Sequence, residues 1–253
     1  MIRYDGVRRT FGALVALEGL TLEVKSGTIY GLLGHNGSGK TTALRIAIGL
    51  TVPTSGRVLL SEVDVEADPI RAKAVAGFLP DTPSYYPHMT CDTFLAFLGQ
   101  ARGIAEEVWR PRRDSLIERL GLADARHARL ADYSFGMLRK TALAGALLHA
   151  PPHLLLDEPT AGLDPTSVRV LKDLMLEEAS RGATLLVSTH DLDAVAEVAN
   201  QMGIIHRGKL IRQFAPSDVP ARAPDGSSPL EQLFLEATRE AAAPSGAASG
   251  AAS

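Results

Sequence analysis

The octapeptide Gly34-His35-Asn36-Gly37-Ser38-Gly39-Lys40-Thr41 fits the pattern G-x-x-x-x-G-K-[ST]. Ahead of it lies the apolar run Ile29-Tyr30-Gly31-Leu32-Leu33, whose lack of alternation predicts a strand buried on both faces. Behind it, TTALRIAIGL from Thr41 combines helix formers with one apolar face. Few folds accept a buried strand, a glycine-rich loop and a helix in that order. The dinucleotide pattern G-x-G-x-x-G does not fit here. Glycines let successive N–H groups and the helix N-terminus face a β-phosphate. Lys40 then supplies charge to the β- and γ-phosphates and Thr41 a hydroxyl for Mg²⁺. The expected ligand is a nucleoside triphosphate, with Gly34 through Thr42 as its binding segment.

The same order recurs along the chain. LTLEV alternates and ends at a Ser26-Gly27 turn; LLLDEP at 154–159, TLLVSTH at 184–190 and MGIIH at 202–206 read as three more buried strands, with helices over about 166–180 and 191–200. Alternating strands and helices predict an α/β fold: a mostly parallel sheet covered on both faces, with antiparallel β elements near the N-terminus. Residues 85–150 change period. MTCDTFLAFLGQ, EEVWRPRRDSLIERLGL and GMLRKTALAGALLHA are helical with no convincing strand between them, which predicts an all-helical insertion. The expected division is therefore 1–84 with 151–214 as the α/β core, 85–150 as the insertion, 215–229 as a Pro/Gly/Ser/Asp linker, 230–240 as a helix with Leu230, Leu233, Phe234 and Ala237 on one face, and 241–253 as a flexible tail.

Composition removes several function classes. A chain of 253 residues with 45% apolar and 22% charged residues is an ordinary globular polypeptide that needs no staples. Its net charge of −3 gives no global attraction to nucleic acid, so none is expected as a partner. One cysteine, Cys91, cannot form an intrachain disulfide and fits a reducing compartment. No apolar run reaches the roughly 18–20 residues of a membrane span, and Arg3, Asp5, Arg8 and Arg9 interrupt any signal-peptide core. A cytoplasmic location is expected. Arg110, Arg112 and Arg113 read as a solvated helix face, and Trp109 and Cys91 as packing residues.

Asp157-Glu158 ends a predicted buried strand, where a parallel sheet brings it beside the phosphate loop. One acid there can hold Mg²⁺ and the next can orient or deprotonate an attacking water, although adjacent acids at a strand end are often only a helix cap. Over nearly all of residues 1–240 the sequence resembles the ATP-binding cassette (ABC) ATPases. LLLDEPTAGLD at 154–164 is similar to their second nucleotide motif and D-loop, Ser188-Thr189-His190 to their switch histidine, Phe11 in RRTFG to their adenine-stacking aromatic, and YSFGM at 133–137 to their signature motif.

The resemblance implies Glu158 as catalytic base, His190 at the γ-phosphate, Thr41, Asp157 and Asp81 around Mg²⁺, and Asp164 communicating across a dimer. It also implies that Ser134 and Gly136 present a hydroxyl and N–H groups to the triphosphate of a second subunit. ATP binding would then close the dimer and hydrolysis reopen it. With one cassette and no internal repeat, the second ATPase subunit must be another polypeptide, in a homo- or heterodimer. Three departures stand out. Asp81 replaces a glutamine and as a carboxylate cannot donate a hydrogen bond to water, Phe135 replaces the first signature glycine, and Leu138-Arg139 replaces a basic residue and glutamine. All three bear on closure and hydrolysis rate. LPDTP, YSFGM and PLEQLFLEAT together resemble exporter-type members, which implies a separate transmembrane permease whose short cytoplasmic helix enters the groove near Tyr85-Tyr86. The chain would then be peripheral on the inner face of the cell membrane. A soluble ATPase of the iron–sulfur assembly type, or an ATP-gated regulator with little turnover, is the alternative.

Overall fold

The chain opens with a hairpin, β1 (Ile2–Phe11) and β2 (Leu14–Val24), runs through β3 (Ile29–Leu33) into α1 (Lys40–Ala47), and returns to the hairpin as β4 (Ser55–Leu60) and β5 (Val63–Asp64). The short α2 (Pro69–Ala74) and β6 (Ala76–Leu79) lead into three helices, α3 (Cys91–Ala101), α4 (Glu106–Arg119) and α5 (Phe135–Leu147). Then come β7 (His153–Asp157), α6 (Pro165–Ser180), β8 (Thr184–Thr189), α7 (Leu192–Ala196), β9 (Gln201–His206), β10 (Lys209–Phe214) and α8 (Pro229–Ala242). This computed structural model describes residues 1–219 and 228–242.

Two sheets result. β2-β1-β4-β5 is antiparallel; β10-β9-β3-β8-β7-β6 is parallel except for β10, which pairs antiparallel with β9. The α/β class and the mostly parallel sheet are as expected. Register places the site: Leu33 lies opposite Thr189 on one side and Ile204 on the other, while Asp157 lies opposite Ser188. The carboxyl ends of β3, β8 and β7 therefore line up along one edge, where open α/β sheets take their ligands.

Helix α1 is held between the two sheets. Ala43, Leu44, Ile46 and Ala47 share one apolar cluster with Tyr4 and Leu60 of the first sheet and Leu186 and Ile205 of the second. On the other face, Leu95, Leu116, Leu143 and Leu147 pack with Leu156, Leu174 and Val187 in a single cluster, so the three helices are continuous with the sheet's core. A 14-residue helix is marginal alone in water; Leu230, Phe234 and Ala237 of α8, spaced four and three apart, bury their apolar face against Leu33, Met202 and Ile204.

Several local expectations change. The 154–159 strand stops at Asp157, because Glu158 takes a left-handed φ of 49° and Pro159 offers no N–H to a ladder. The 191–200 helix shrinks to Leu192–Ala196: Asn200 is claimed by β3, its side chain accepting from Ile29 N at 2.8 Å and its N–H donating to Ile29 O at 2.9 Å. Within the expected linker, Pro216–Asp218 forms a 3₁₀ turn and α8 begins at Pro229; it extends to Ala242, past the expected boundary at 240. Residues 220–227 of that linker and 243–253 of the expected tail lie outside the described residues.

In the basic run on α4, Arg110 is exposed as expected, but Arg112 and Arg113 are not part of a solvated face. Arg113 is buried, bonding Asp92 Oδ2 at 3.2 Å and Asp114 Oδ1 at 2.9 Å with its guanidinium 5.2 Å from the Trp109 ring centroid. Arg112 reaches Glu178 Oε1 at 2.6 Å and Leu147 O at 2.7 Å, tying α4 to α6 and α5. Among the described residues no helix is long and apolar enough to cross a membrane.

Candidate functional site

The loop from Gly34 to Gly39 is built around two positions where only glycine fits. A Cβ on Gly34 would lie 2.6 Å from Ile205 O and 2.4 Å from Ser38 Oγ; one on Gly39, whose φ is 113°, would lie 2.6 Å from Ala16 O. Gly39 is the N-cap of α1 and supplies no side-chain cap, and no acidic residue stands in the first turn. The first N–H groups of α1 and the positive end of its dipole are thus left to a ligand. Ser38 Oγ is buried without a partner. Lys40, only 5% exposed, curls back so that Nζ donates to Gly34 O at 2.6 Å and His35 O at 3.3 Å.

The same ammonium meets the end of β7. Lys40 Nζ is 3.4 Å from Glu158 Oε1, and Glu158 Oε2 is 2.8 Å from His190 Nδ1. His190 follows β8, and its own N–H also points at Oε2, at 3.3 Å. The Glu158 N–H donates to Ser188 O at 2.9 Å, pinning the turn beneath it. Asp157 is fully buried; Oδ1 accepts the Ser188 hydroxyl while Oδ2 has no partner. Burial pushes its carboxyl above the usual carboxylate range, reinforced by the Asp81 and Glu158 charges and opposed by the Ser188 and Thr41 hydroxyls. The unpartnered Asp157 Oδ2 beside the Thr41 hydroxyl fits a hard divalent cation, although among the described residues no three acid, histidine or cysteine side chains gather into a metal cluster.

A cleft of about 370 Å³ joins the phosphate loop and Lys40 to Glu158. Its floor is the loop from His35 to Thr42, one wall is Phe11, Leu14 and Ala16, and the other carries Asp81 and Glu158. Phe11 is 45% exposed and the Arg9 guanidinium covers one face of its ring at 4.3 Å, leaving the opposite face uncovered by that contact. Of the expected site residues, Gly34, Asp157, His190, Ser134, Gly136 and Asp164 do not line this cleft; Gly34 and His190 line a second pocket of about 300 Å³ with Phe234, and Asp157 is buried beneath Glu158. Ser134 caps α5, its Oγ accepting from Met137 N at 3.3 Å, and Asp164 caps α6, accepting from Ser167 N at 2.9 Å and Ser167 Oγ at 2.6 Å. Those two bonds hold the Asp164 carboxyl below its ordinary range.

Three participants were not read from the sequence as such. Ser188 orients Asp157, Arg139 grips the backbone after β7, and α8 reaches the phosphate loop, where the Phe234 ring meets the His35 ring edge-on at 4.8 Å. The apolar face of PLEQLFLEATRE signalled that α8 docks but not where.

Comparison with known proteins agrees with this geometry. The ABC transporter family matches residues 17–161. The Bacillus subtilis protein YdbJ, an uncharacterized ABC transporter ATP-binding protein, is 35% identical over 212 residues, covering 83% of this chain and 68% of the relative. The Escherichia coli protein YbhF, a probable multidrug ABC transporter ATP-binding protein, is 32% identical over 239 residues, which is 93% of this chain but 41% of the longer relative. A solved ATP-binding subunit of an ABC transporter superposes with a TM-score of 0.86 at 27% identity, covering 94% of this chain and 99% of its own. A chain with this phosphate loop, this pair of acids at the end of β7 and these likenesses belongs to the ABC transporter family, as one of its ATP-binding, ATP-hydrolysing subunits.

Proposed function

We propose that ATP and Mg²⁺ occupy the cleft between the Gly34–Thr42 loop and Glu158, and that hydrolysis there opens a dimer which ATP binding has closed. The observation that carries this is convergence: a loop with uncapped N–H groups, its lysine and a carboxylate from another strand meet within 3.4 Å in one cleft. Phe11 takes the adenine face, and Asn36, Gly37, Ser38, Gly39 and Thr42 line the phosphate path with His35 at its edge. Lys40 exchanges its carbonyl and Glu158 contacts for β- and γ-phosphate oxygens. Thr41, Asp157 and Asp81 hold the metal, with Ser188 fixing Asp157. When bound, Mg²⁺ neutralises charge on the β- and γ-phosphates. Glu158 accepts a proton from the attacking water at a carboxylate oxygen, and His190, steered by its contact with Oε2, faces the γ-phosphate.

Ser134 and Gly136 at the start of α5, with Asp164 at the start of α6, serve the partner's nucleotide in this reading. Residues 1–84 with 151–214 form the nucleotide-binding unit and 85–150 the unit that moves. The membrane partner is a separate permease, met at the exposed Tyr85 and Tyr86, the latter stacked edge-on against Phe97 at 5.7 Å. That puts the chain on the inner face of the cell membrane. Export is the direction favoured by the multidrug designation of YbhF. The test is phosphate release with Mg²⁺ against chelator, across a range of protein concentrations, for wild type and Glu158→Gln. The expected result is metal-dependent turnover that rises more than linearly with protein and vanishes in the variant. Metal-independent turnover, or a linear response with full activity in the variant, would overturn the proposal.

A further inference from the structure

Helix α5 sends one long charged side chain inward. Arg139 is 1% exposed, and every hydrogen bond of its guanidinium ends on a main-chain oxygen. Nε donates to Pro159 O at 3.5 Å, Nη1 to Asp81 O, and Nη2 to both Asp157 O, at 2.9 Å, and Glu158 O. A buried guanidinium with no ion pair among the described residues, only the more distant charges of Asp81, Asp157 and Glu158, is costly, so a chain that keeps one is using its geometry. Of the residues it grips, Asp81 and Glu158 line the cleft already described, and Asp157 and Pro159 flank Glu158. The metal side contributes Asp157 and Asp81; the base side contributes Glu158 and the proline behind it.

The grip falls on a strained point. Glu158 is one of four non-glycine residues among those described with a positive φ, here 49°, a conformation that persists only where neighbours over-determine it. Two clamps do so. From β8, Ser188 O takes the Glu158 N–H at 2.9 Å; from α5, Arg139 Nη2 donates to the carbonyls of Asp157 and Glu158, one on either side of the Glu158 Cα. Phe135, one turn earlier on α5, stands 5.9 Å from the Arg139 guanidinium and fills the space above Gly162, where an added Cβ would come within 2.6 Å of its ring. The start of α5, the turn after Glu158 and the Asp81 backbone are thus bonded through one side chain.

We infer that Arg139 is a positioning residue that fixes the backbone orientation of Glu158, so that any rotation of α5 when its N-terminus engages a second subunit is delivered to the base. This rests on Glu158 being the base. The experiment compares Arg139→Met, which keeps length and loses every donor, Arg139→Gln, which keeps two N–H donors, and Arg139→Lys, which keeps charge and loses the fork. Each is assayed for kcat and KM by phosphate release and for ATP affinity at equilibrium, with Glu158→Gln as reference and urea unfolding as the check on folding. A displaced catalytic group costs up to about a hundredfold, so kcat should fall at least about tenfold in Arg139→Met with ATP affinity within about threefold of wild type, and recover in part in Arg139→Gln. Wild-type kcat in a folded Arg139→Met, or equal losses of kcat and affinity, overturns the inference while leaving the base intact. Should Arg139→Met not fold, undiminished kcat in Arg139→Lys overturns it equally. Full turnover in Glu158→Gln would remove the base itself, and this inference with it.

Discussion

Glutamine at position 158 keeps the length and reach of the native side chain and deletes one negative charge, so its consequences separate by sign. Loss of a general base costs about 10²–10⁴ in rate, or about 2.7–5.4 kcal/mol at 1.36 kcal/mol per decade. Binding should move the other way. In the free protein Glu158 Oε1 holds Lys40 Nζ at 3.4 Å, and that hold must break before the lysine can reach a phosphate. A triphosphate also arrives with its own negative charge near the same carboxylate; at about 5 Å and an effective dielectric near 20 each unit of charge contributes roughly 3 kcal/mol of gross repulsion. Metal and solvent offset most of this, and a net tightening of about tenfold, about 1.4 kcal/mol, is the expected remainder. Without nucleotide the variant should be less stable by about 1–3 kcal/mol, since Lys40 keeps Gly34 O and His35 O but loses its only counter-charge among the described residues. Phosphate release at saturating ATP, equilibrium binding of radiolabelled ATP and urea midpoints in nucleotide-free buffer read the three effects. Turnover within threefold of wild type would refute the assignment of Glu158, and unchanged affinity would refute the idea that the carboxylate opposes ATP.

Phe11→Ala removes a stacking surface whose loss costs about 1–3 kcal/mol per base, so ATP Kd should rise roughly five- to hundredfold with a smaller effect on kcat at saturation. Burial holds His149 and His153 down at about 4, with the Arg102 charge adding to the shift at His149. Both stay neutral in the fold while the unfolded chain takes up protons below pH 6.5. Their contribution is therefore full above about pH 6.5 and is lost toward pH 4, at up to about 1.4 kcal/mol per pH unit for each group. Urea midpoints at pH 7 and 5 should show the drop, and His153→Gln should lessen it. Gly99→Ala places a Cβ 2.7–2.9 Å from ring atoms of Trp109, the chain's single tryptophan, and should cost about 1–3 kcal/mol with a changed emission spectrum.

What the sequence disclosed and what it hid follow from range of interaction. The phosphate loop was legible because its glycines answer to local backbone demands, and β3, β7, β8 and β9 because buried parallel strands are written as continuous apolar runs. The first strand was harder: pairing shifts between Tyr4 and Val7 and again before Arg9 and Thr10 disrupt its alternation, and Gly6 carries a positive φ. Arg113 was misjudged because its environment comes from Asp92, twenty-one residues earlier, and from Trp109 one helical turn before it. Arg139 was seen only as a departure from a motif. Its partners are main-chain oxygens at positions 81 and 157–159, and carbonyls carry no sequence signature. The α8 contact with His35 was hidden for the same reason, since nothing local to either segment announces the other.

The two places in the fold best suited to holding phosphate do not belong to one cleft. Helices α1 and α5 both begin without an acidic residue in the first turn, so at each N-terminus the dipole is uncompensated by a neighbouring carboxylate. At α1 glycine caps the helix and leaves its N–H groups to a ligand; at α5 the Ser134 hydroxyl accepts one N–H, from Met137. Lys40 and Glu158 converge on the first of these ends, and no residue of α5 lines that cleft. In the proposed reading, a triphosphate seated on α1 is therefore gripped from one side only, and its far side is left for the start of another α5. One chain cannot fold α5 onto its own cleft without tearing Arg139 from the backbone of Asp157 and Glu158, because that grip fixes α5 to the back of the same site. Two chains arranged head to tail can supply each cleft with the other's α5 and leave both Arg139 contacts intact. On the proposed reading, the bond that forbids closure within a chain is then the one that would carry closure between chains to Glu158.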